Sequence, residues 1–179
     1  SLFIDELDDL INKVNIFGYH FASLDIRQDS RIHSKVFENI FKISQNHLGE
    51  IFPDNYLDLS EDKKIKVLSE IKGNVPLNLF KDEQAVSTLG SIRAMKTIQN
   101  INGEKGANRY IISNNQNALN IFEVFSMFRL SDWEFPTVDI IPLFETVSDL
   151  TIASKVMESV YANEIYRNHL SNRGNKQTI

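Results

Sequence analysis

The sequence contains no cysteine, and only seven glycines and four prolines occur among its 179 residues. The absence of cysteine excludes disulfide bonds, thiolate nucleophiles and cysteine-ligated metal sites. The scarcity of glycine and proline argues against low-complexity linkers. No apolar run approaches the length of a membrane span, and the first residues do not resemble a signal peptide. We therefore expect no membrane association and a cytoplasmic location.

Basic residues are fewer than acidic ones. Nineteen lysines and arginines against 24 aspartates and glutamates give a net charge of −5, and no basic block is present. Nucleic acid is therefore not an expected partner. A hydrophobic content of 42% is enough to bury a sizeable core, so we predict one domain over residues 1–179.

One apolar segment ends on a lone carboxylate. Residues 138–146 (VDIIPLFET) form a nearly continuous apolar run, which is typical of a strand buried on both faces of a parallel sheet. Helical spacing follows over residues 148–162. Glu145 is therefore expected at the C-terminal end of a strand, where ligands bind in β/α architectures. The alternative is that Glu145 is a solvated carboxylate that caps the next helix near Thr146 and Ser148.

Two more segments are predicted to be strands with polar ends. Residues 19–27 (YHFASLDIR) place Asp25 and Arg27 on the same face, because side chains alternate along a strand. This pair forms either part of a ligand site or a local ion pair. Residues 109–113 (RYIIS) are the other predicted strand, and the polar cluster 114–117 (NNQN) follows it.

Most of the remaining chain has the apolar spacing of amphipathic helices. The predicted helices cover residues 2–14, 29–47, 60–71, 82–101, 118–130 and 164–171, and residues 176–179 resemble the start of a further strand. This order predicts an α/β fold that is mostly helical, with about three to four parallel strands. Because eight strands are needed to close a β/α barrel, we expect a partial (β/α) barrel from a larger TIM-barrel-like protein.

The four histidines do not have a convincing metal-ligand spacing. His33 lies inside a predicted helix and is expected to be structural. His47 and His169 lie near predicted helix ends and are expected at the surface or in capping positions. His20 could face either side of its strand, so we assign it no role.

Four motifs, in the same order, resemble the phosphoenolpyruvate carboxylase family. Residues 24–30 (LDIRQDS), with His33 following, resemble that family's LDIRQES…H segment, and residues 110–113 (YIIS) resemble its YVIS strand. Residues 141–146 (IPLFET) resemble its VPLFET segment, and residues 166–177 (YRNHLSNRGNKQ) are similar to its WYR…GKQ segment. One such match would be weak evidence, whereas four ordered matches over most of the chain are specific.

The resemblance implies a lyase of anaplerotic carbon dioxide fixation that feeds the tricarboxylic acid cycle. In this family bicarbonate attacks the phosphoryl group of phosphoenolpyruvate, giving carboxyphosphate and the enolate of pyruvate. Carboxyphosphate then releases carbon dioxide, and the enolate captures it to form oxaloacetate. The family uses Mg²⁺ or Mn²⁺, folds as an elaborated β/α barrel and is expected to form homo-oligomers.

The resemblance also implies roles for individual residues. Glu145 matches the family's metal-ligand glutamate, and Arg27 matches a catalytic arginine that binds the phosphorylated substrate. Asp25 and Gln28 would orient Arg27. A single charge-assisted hydrogen bond contributes roughly 1.5–3 kcal/mol, so Arg27 cannot hold the substrate alone.

The sequence also departs from the family pattern. Ile32 stands where the family has an arginine before the motif histidine, and Arg31 is displaced by one position. Asn114 and Asn115 replace small or apolar residues after the second motif. No segment resembles the family's TAHPTE and GYSDS motifs, so we expect an internal fragment that is inactive alone, binds metal weakly and self-associates through its edge strands.

Two alternative functions stay open at this stage. The chain could be a non-catalytic binding or scaffolding module derived from the same fold. It could also belong to another metal-dependent lyase on a β/α barrel, which would keep Glu145 but leave Arg27 without a phosphate to bind.

Overall fold

Three strands form a parallel sheet in the computed structural model, which describes residues 3–47 and 51–179. The strands, in spatial order, are β1 (Asp25–Asp29), β2 (Arg109–Ser113) and β3 (Asp139–Pro142). The α-helices are α1 (Ile4–Phe17), α2 (Ser30–His47), α3 (Glu61–Glu70), α4 (Glu83–Asn102), α5 (Ala118–Arg129), α6 (Val147–Ala162) and α7 (Glu164–Asn172). This architecture confirms the prediction of a mostly helical α/β fold with parallel strands.

The register of the sheet aligns the C-terminal ends of its strands. Asp29 of β1 lies opposite Ser113 of β2, and Ile112 of β2 lies opposite Pro142 of β3. Because parallel strands all run in one direction, the loops that follow them emerge on the same side of the sheet. The polar residues at the three strand ends are therefore neighbours, although they are far apart in the sequence.

The core is centred on α5, which is buried on nearly all sides. Phe122 and Phe128 are fully buried, and Phe125 packs edge-on against Tyr166 of α7. This arrangement explains why the apolar residues of α5 do not follow a single stripe. A helix surrounded by other elements can be apolar all round, whereas a surface helix has one apolar face.

One predicted strand is shorter than expected, and another does not form. The first strand begins only at Asp25, and residues 19–24 lie in turns and irregular backbone in which Phe21 has a φ of 59°. Residues 176–179 form no strand; instead the side-chain amide of Gln177 donates to the Ile140 carbonyl oxygen at 2.8 Å. The Gln177 side chain therefore satisfies a backbone acceptor of β3 at a position where we expected the backbone of a neighbouring strand.

Helix α1 has the predicted amphipathic pattern, but none of its residues is buried. Leu7, Leu10 and Val14 lie on its apolar side and stay more than half exposed in the part of the chain that the structure describes. Leu2, with which the predicted helix began, lies outside the described residues. None of the described helices is both long and apolar enough to cross a membrane.

Candidate functional site

Side chains and backbone from all three strand ends meet at the C-terminal edge of the sheet. The Arg27 guanidinium of β1 donates through Nη2 to Oε2 of Glu145, which follows β3, at 3.0 Å. The other carboxylate oxygen of Glu145 accepts a hydrogen bond from the backbone N–H of Asn114, which follows β2, at 3.3 Å. The structure thus brings together Arg27 and Glu145, the two residues that the sequence nominated independently.

Glu145 does not cap the next helix. Thr146 is the N-cap of α6: its hydroxyl accepts from the backbone N–H of Asp149 at 3.1 Å, and the Asp149 carboxylate accepts from the Thr146 N–H at 3.0 Å. This reciprocal capping box satisfies the helix start without Glu145. The alternative in which Glu145 caps α6 is therefore wrong, and its carboxylate is free to face the sheet edge.

The pair of Arg27 and Glu145 is open to solvent. Their side chains are 56% and 40% exposed. An ion pair with this exposure stabilises a protein by at most about 1 kcal/mol, because water screens it and two side chains must be ordered. Folding therefore does not depend on the contact, and both groups are accessible to a ligand that exchanges for one of them.

Asp25 and Gln28 are held by partners other than Arg27. The Asp25 carboxylate accepts from Arg109 Nε of the adjacent strand at 2.8 Å, and Gln28 Oε1 accepts from the backbone N–H of Asp29 at 3.2 Å. Asp25 and Arg27 are thus not a local ion pair, since each has a partner on or after another strand. That Asp25 and Gln28 orient Arg27 stays a prediction, and any such effect acts through the strand backbone.

Asn114 is part of this edge and was not nominated from the sequence. Its backbone has a φ of 55°, in the left-handed region that asparagine tolerates better than most residues. This conformation accompanies the N–H contact to Glu145, while the Asn114 carbonyl accepts from the Ser30 hydroxyl at 2.6 Å. A polar cluster directly after a buried strand was the available signal, and sequence reasoning treated it only as a departure from the family.

The displaced arginine has a local partner. Arg31 donates to Asp29 through Nε at 2.9 Å and through Nη2 at 2.7 Å, in a bidentate pair. This guanidinium lowers the pKa of the Asp29 carboxyl to about 2. Arg31 is therefore engaged within its own turn, and Arg27 is the guanidinium that reaches across the strand ends.

The described residues do not form a complete metal site. No group of three or more histidine, aspartate or glutamate side chains converges as metal ligands in residues 3–47 and 51–179. Mg²⁺ prefers six oxygen ligands in an octahedron. Glu145 supplies one suitable carboxylate, so this chain by itself does not fit a resident cation.

Two histidines are buried close to the core. His33 is fully buried, its Nε2 lies 2.9 Å from the Tyr110 hydroxyl, and burial lowers its pKa to about 4, in keeping with the structural role predicted for it. His169 was predicted at the surface or in a cap, and that prediction was wrong. It packs against the rings of Phe125 and Tyr166, and its pKa is also lowered to about 4, chiefly by burial.

Glu123 of α5 is a buried carboxyl that contacts helix α2. Ser34 donates to its Oε2 at 2.9 Å, and burial raises its pKa to about 7. Between pH 4.5 and 7 the folded protein therefore holds a proton at Glu123 that the unfolded chain has lost. The stability that this group contributes is fully present below pH 4.5 and is lost as the pH rises through 7.

We expect Glu123→Gln to remove this pH dependence. The variant should be more stable relative to the wild type at pH 8 than at pH 4.5, by about 2–3 kcal/mol, because an amide needs no proton to be neutral. Urea unfolding at both pH values measures the change. His33 and His169 act in the opposite direction between pH 4 and 6.5, but they are common to both proteins and cancel in the difference. An unchanged gap between the two proteins across this range would contradict the assignment.

Comparison with known proteins gives a consistent result. The family model described as "Phosphoenolpyruvate carboxylase" matches residues 1–179. A protein named phosphoenolpyruvate carboxylase from Nitrosomonas eutropha is 32% identical over 96% of this chain. One of the same name from Prochlorococcus marinus is 30% identical over 98% of this chain. A third relative of that name, from Thermosynechococcus vestitus, is 33% identical over 92% of the chain. The matched regions are 19%, 18% and 17% of these relatives, so the chain spans less than a fifth of their length.

Proposed function

The chain belongs to the phosphoenolpyruvate carboxylase family, and from this premise we propose that the complete protein converts phosphoenolpyruvate and bicarbonate to oxaloacetate and phosphate. Residues 1–179 would carry one wall of the active site on part of a TIM-barrel-like domain. The observation that carries the proposal is the contact of Arg27 with Glu145 at 3.0 Å. It joins the two family motifs in which the reaction's phosphate and metal ligands were expected.

Arg27 would bind the phosphoryl group of the substrate. A guanidinium offers a permanent positive charge and a planar set of donors that matches phosphate oxygens. Arg27 is half exposed and held by one weak ion pair, so it can exchange the Glu145 carboxylate for the more highly charged phosphate. The position of Arg27 on β1 would direct its guanidinium towards the site. Asp25 and Gln28 would contribute to this orientation through the strand backbone.

Glu145 would supply one oxygen ligand to Mg²⁺ or Mn²⁺ in the complete protein. Such an ion stabilises negative charge that develops on an enolate oxygen. Asn114 donates to one Glu145 oxygen and leaves the other to Arg27, which fixes the orientation of the carboxylate. The remaining ligands would come from segments beyond this chain, so we propose that residues 1–179 are inactive alone.

Location and assembly of the complete protein stay predictions. We propose a cytoplasmic homo-oligomer that participates in anaplerotic carbon fixation. The edge of β1 and the exposed apolar side of α1 are consistent with contacts to further parts of the complete protein.

A coupled assay tests the proposed reaction. The complete protein is given phosphoenolpyruvate, bicarbonate and Mg²⁺, and malate dehydrogenase with NADH reports oxaloacetate. We expect turnover that requires all three components, and none from residues 1–179. A folded, metal-loaded complete protein without turnover would contradict the proposal and favour the binding-module alternative. Turnover by the 179-residue chain alone would contradict the one-wall assignment.

A further inference from the structure

A cavity of about 280 Å³ lies near the N-terminal end of β3, whereas Glu145 follows the C-terminal end of that strand. It is formed by the segment that leads into β3, the end of α5 and helix α7. Its walls are largely apolar, with Phe125, Phe135, Pro136 and Ile165 among the lining residues. This volume is slightly below the range of about 300–1,000 Å³ that is typical of small-molecule sites, and it suits a ligand smaller than a typical drug.

A buried cation without a counter-ion lines the cavity. Arg129, at the end of α5, is only 7% exposed, and no carboxylate of the described residues lies within ion-pair distance of it. Its Nη1 donates to the Ser69 carbonyl, whereas its buried Nε has no hydrogen-bond partner. Its guanidinium lies 5.5 Å from the centre of the Phe125 ring. Burial lowers the pKa of Arg129, and the negative charge of Glu134, which forms no ion pair with it, opposes that shift; a guanidinium keeps its charge in either case.

The other charges around the cavity are already compensated. Arg173 pairs with Asp139 at 2.8 Å and with Glu104. Glu134 accepts from Lys72 at 2.7 Å. His169, with its lowered pKa, is neutral at pH 7. Among the described residues that line the cavity, Arg129 is therefore the cation that lacks an ion-pair partner.

We propose that this cavity, termed here the Arg129 cavity, binds a small monocarboxylate with a flat apolar body, of the benzoate class. The carboxylate would supply the counter-ion that Arg129 lacks, and a charge-assisted hydrogen bond is strong where water is largely excluded. The ring would pack against Phe135 and Pro136, beside the ring of Phe125. A larger or dianionic ligand is disfavoured because the volume is small and only one guanidinium is available.

Calorimetric titration with benzoate and with its uncharged isostere benzamide tests the charge requirement. We expect benzoate to bind the 179-residue chain and the complete protein, and benzamide to bind at least about tenfold more weakly, the size expected for one charged hydrogen bond. Because the two probes share shape and apolar area, the comparison needs no mutation. Equal affinities for the two probes, or no benzoate binding up to 10 mM, a ceiling of about −2.7 kcal/mol by the affinity relation, would overturn the proposal.

Three variants locate the site. Arg129→Met keeps a long apolar side chain and should weaken benzoate binding at least about tenfold. Phe135→Ser changes an exposed ring at the rim, so it should weaken binding severalfold without affecting the fold. Arg27→Gln changes a residue at the C-terminal strand ends and should leave benzoate binding unchanged. Loss of binding in Arg27→Gln with retention in Phe135→Ser would place the ligand at the strand ends and overturn the proposal.

The complete protein supplies a separate check. Benzoate binding to the 179-residue chain but not to the complete protein would mean that another segment fills the cavity, and the ligand site would be rejected. The proposal does not depend on carboxylase activity, because its readout is binding of a compound that carries no phosphoryl group. A failure of either proposal therefore leaves the other standing.

Discussion

We expect Arg27→Gln in the complete protein to lower kcat/KM for phosphoenolpyruvate by about 10²- to 10³-fold, the loss typical of removing one charged stabilising group from an active site. Glutamine keeps a hydrogen-bond donor but has neither the charge nor the paired donors of the guanidinium. Glu145→Gln should cause a loss of similar size for a different reason, because a neutral amide is a poor ligand for a hard cation. The two effects separate in their concentration dependence. Arg27→Gln should raise the phosphoenolpyruvate requirement, and Glu145→Gln should raise the Mg²⁺ requirement.

The chain offers a closely matched control in Lys72→Gln. Lys72 and Glu134 form a contact of 2.7 Å between side chains that are 58% and 40% exposed, almost the exposures of Arg27 and Glu145. This variant removes a comparable surface ion pair whose carboxylate, Glu134, lies before β3 and not after it, so its kcat/KM should stay within about twofold of the wild type. If Arg27→Gln and Lys72→Gln had the same small effect, Arg27 would have no role beyond that of a surface ion pair.

The second large effect concerns stability, and we expect Tyr166→Ala to lower the free energy of unfolding by about 3–5 kcal/mol. Tyr166 is fully buried, and its ring lies 5.7 Å from that of Phe122 and 5.6 Å from that of Phe125. Removing the ring leaves a cavity between α5 and α7 that these aromatic neighbours cannot easily fill. His169, which packs on the same ring, would also lose a contact.

Tyr166→Phe separates the ring from its hydroxyl. The hydroxyl donates to Gln177 Oε1 at 3.2 Å, which is one of the contacts between α7 and the residues that follow it. The phenylalanine variant should lose only about 1 kcal/mol, the net contribution of one hydrogen bond. Urea unfolding of both variants at constant pH gives the comparison. A loss in Tyr166→Phe close to that in Tyr166→Ala would mean that the hydroxyl contact, and not ring packing, holds α7 on the core.

Local signals predicted most of the secondary structure. The strand over residues 109–113 is observed with the predicted bounds, and the helix predicted over residues 82–101 is observed as Glu83–Asn102 with Asp82 as its N-cap. These elements combine apolar periodicity with clear start and stop residues, so neighbours in the sequence suffice to define them. The start of β1 was misjudged because the apolar and aromatic residues of 19–24 suit a strand, whereas a strand also needs a partner with which to pair.

Burial was predicted less well than secondary structure. The apolar side of α1 has the pattern of a core-facing helix, yet it is exposed among the described residues. His169 has the pattern of a surface residue near a helix end, yet it is buried against two aromatic rings. Periodicity reports which side of a helix is apolar, but whether another element covers that side depends on segments distant in the sequence.

By itself, the sequence determined the family and the parallel α/β order, and it nominated Arg27 and Glu145 as candidate site residues, because each of these depends on a motif or on local spacing. Only the tertiary structure decided what those residues contact. It placed Asn114 against Glu145 and paired Asp25 with Arg109 instead of Arg27. The physical reason is that hydrogen bonds and ion pairs depend on distances of about 3 Å between atoms. Strand register and helix packing set such distances, and they bring residues together across more than a hundred positions of the chain.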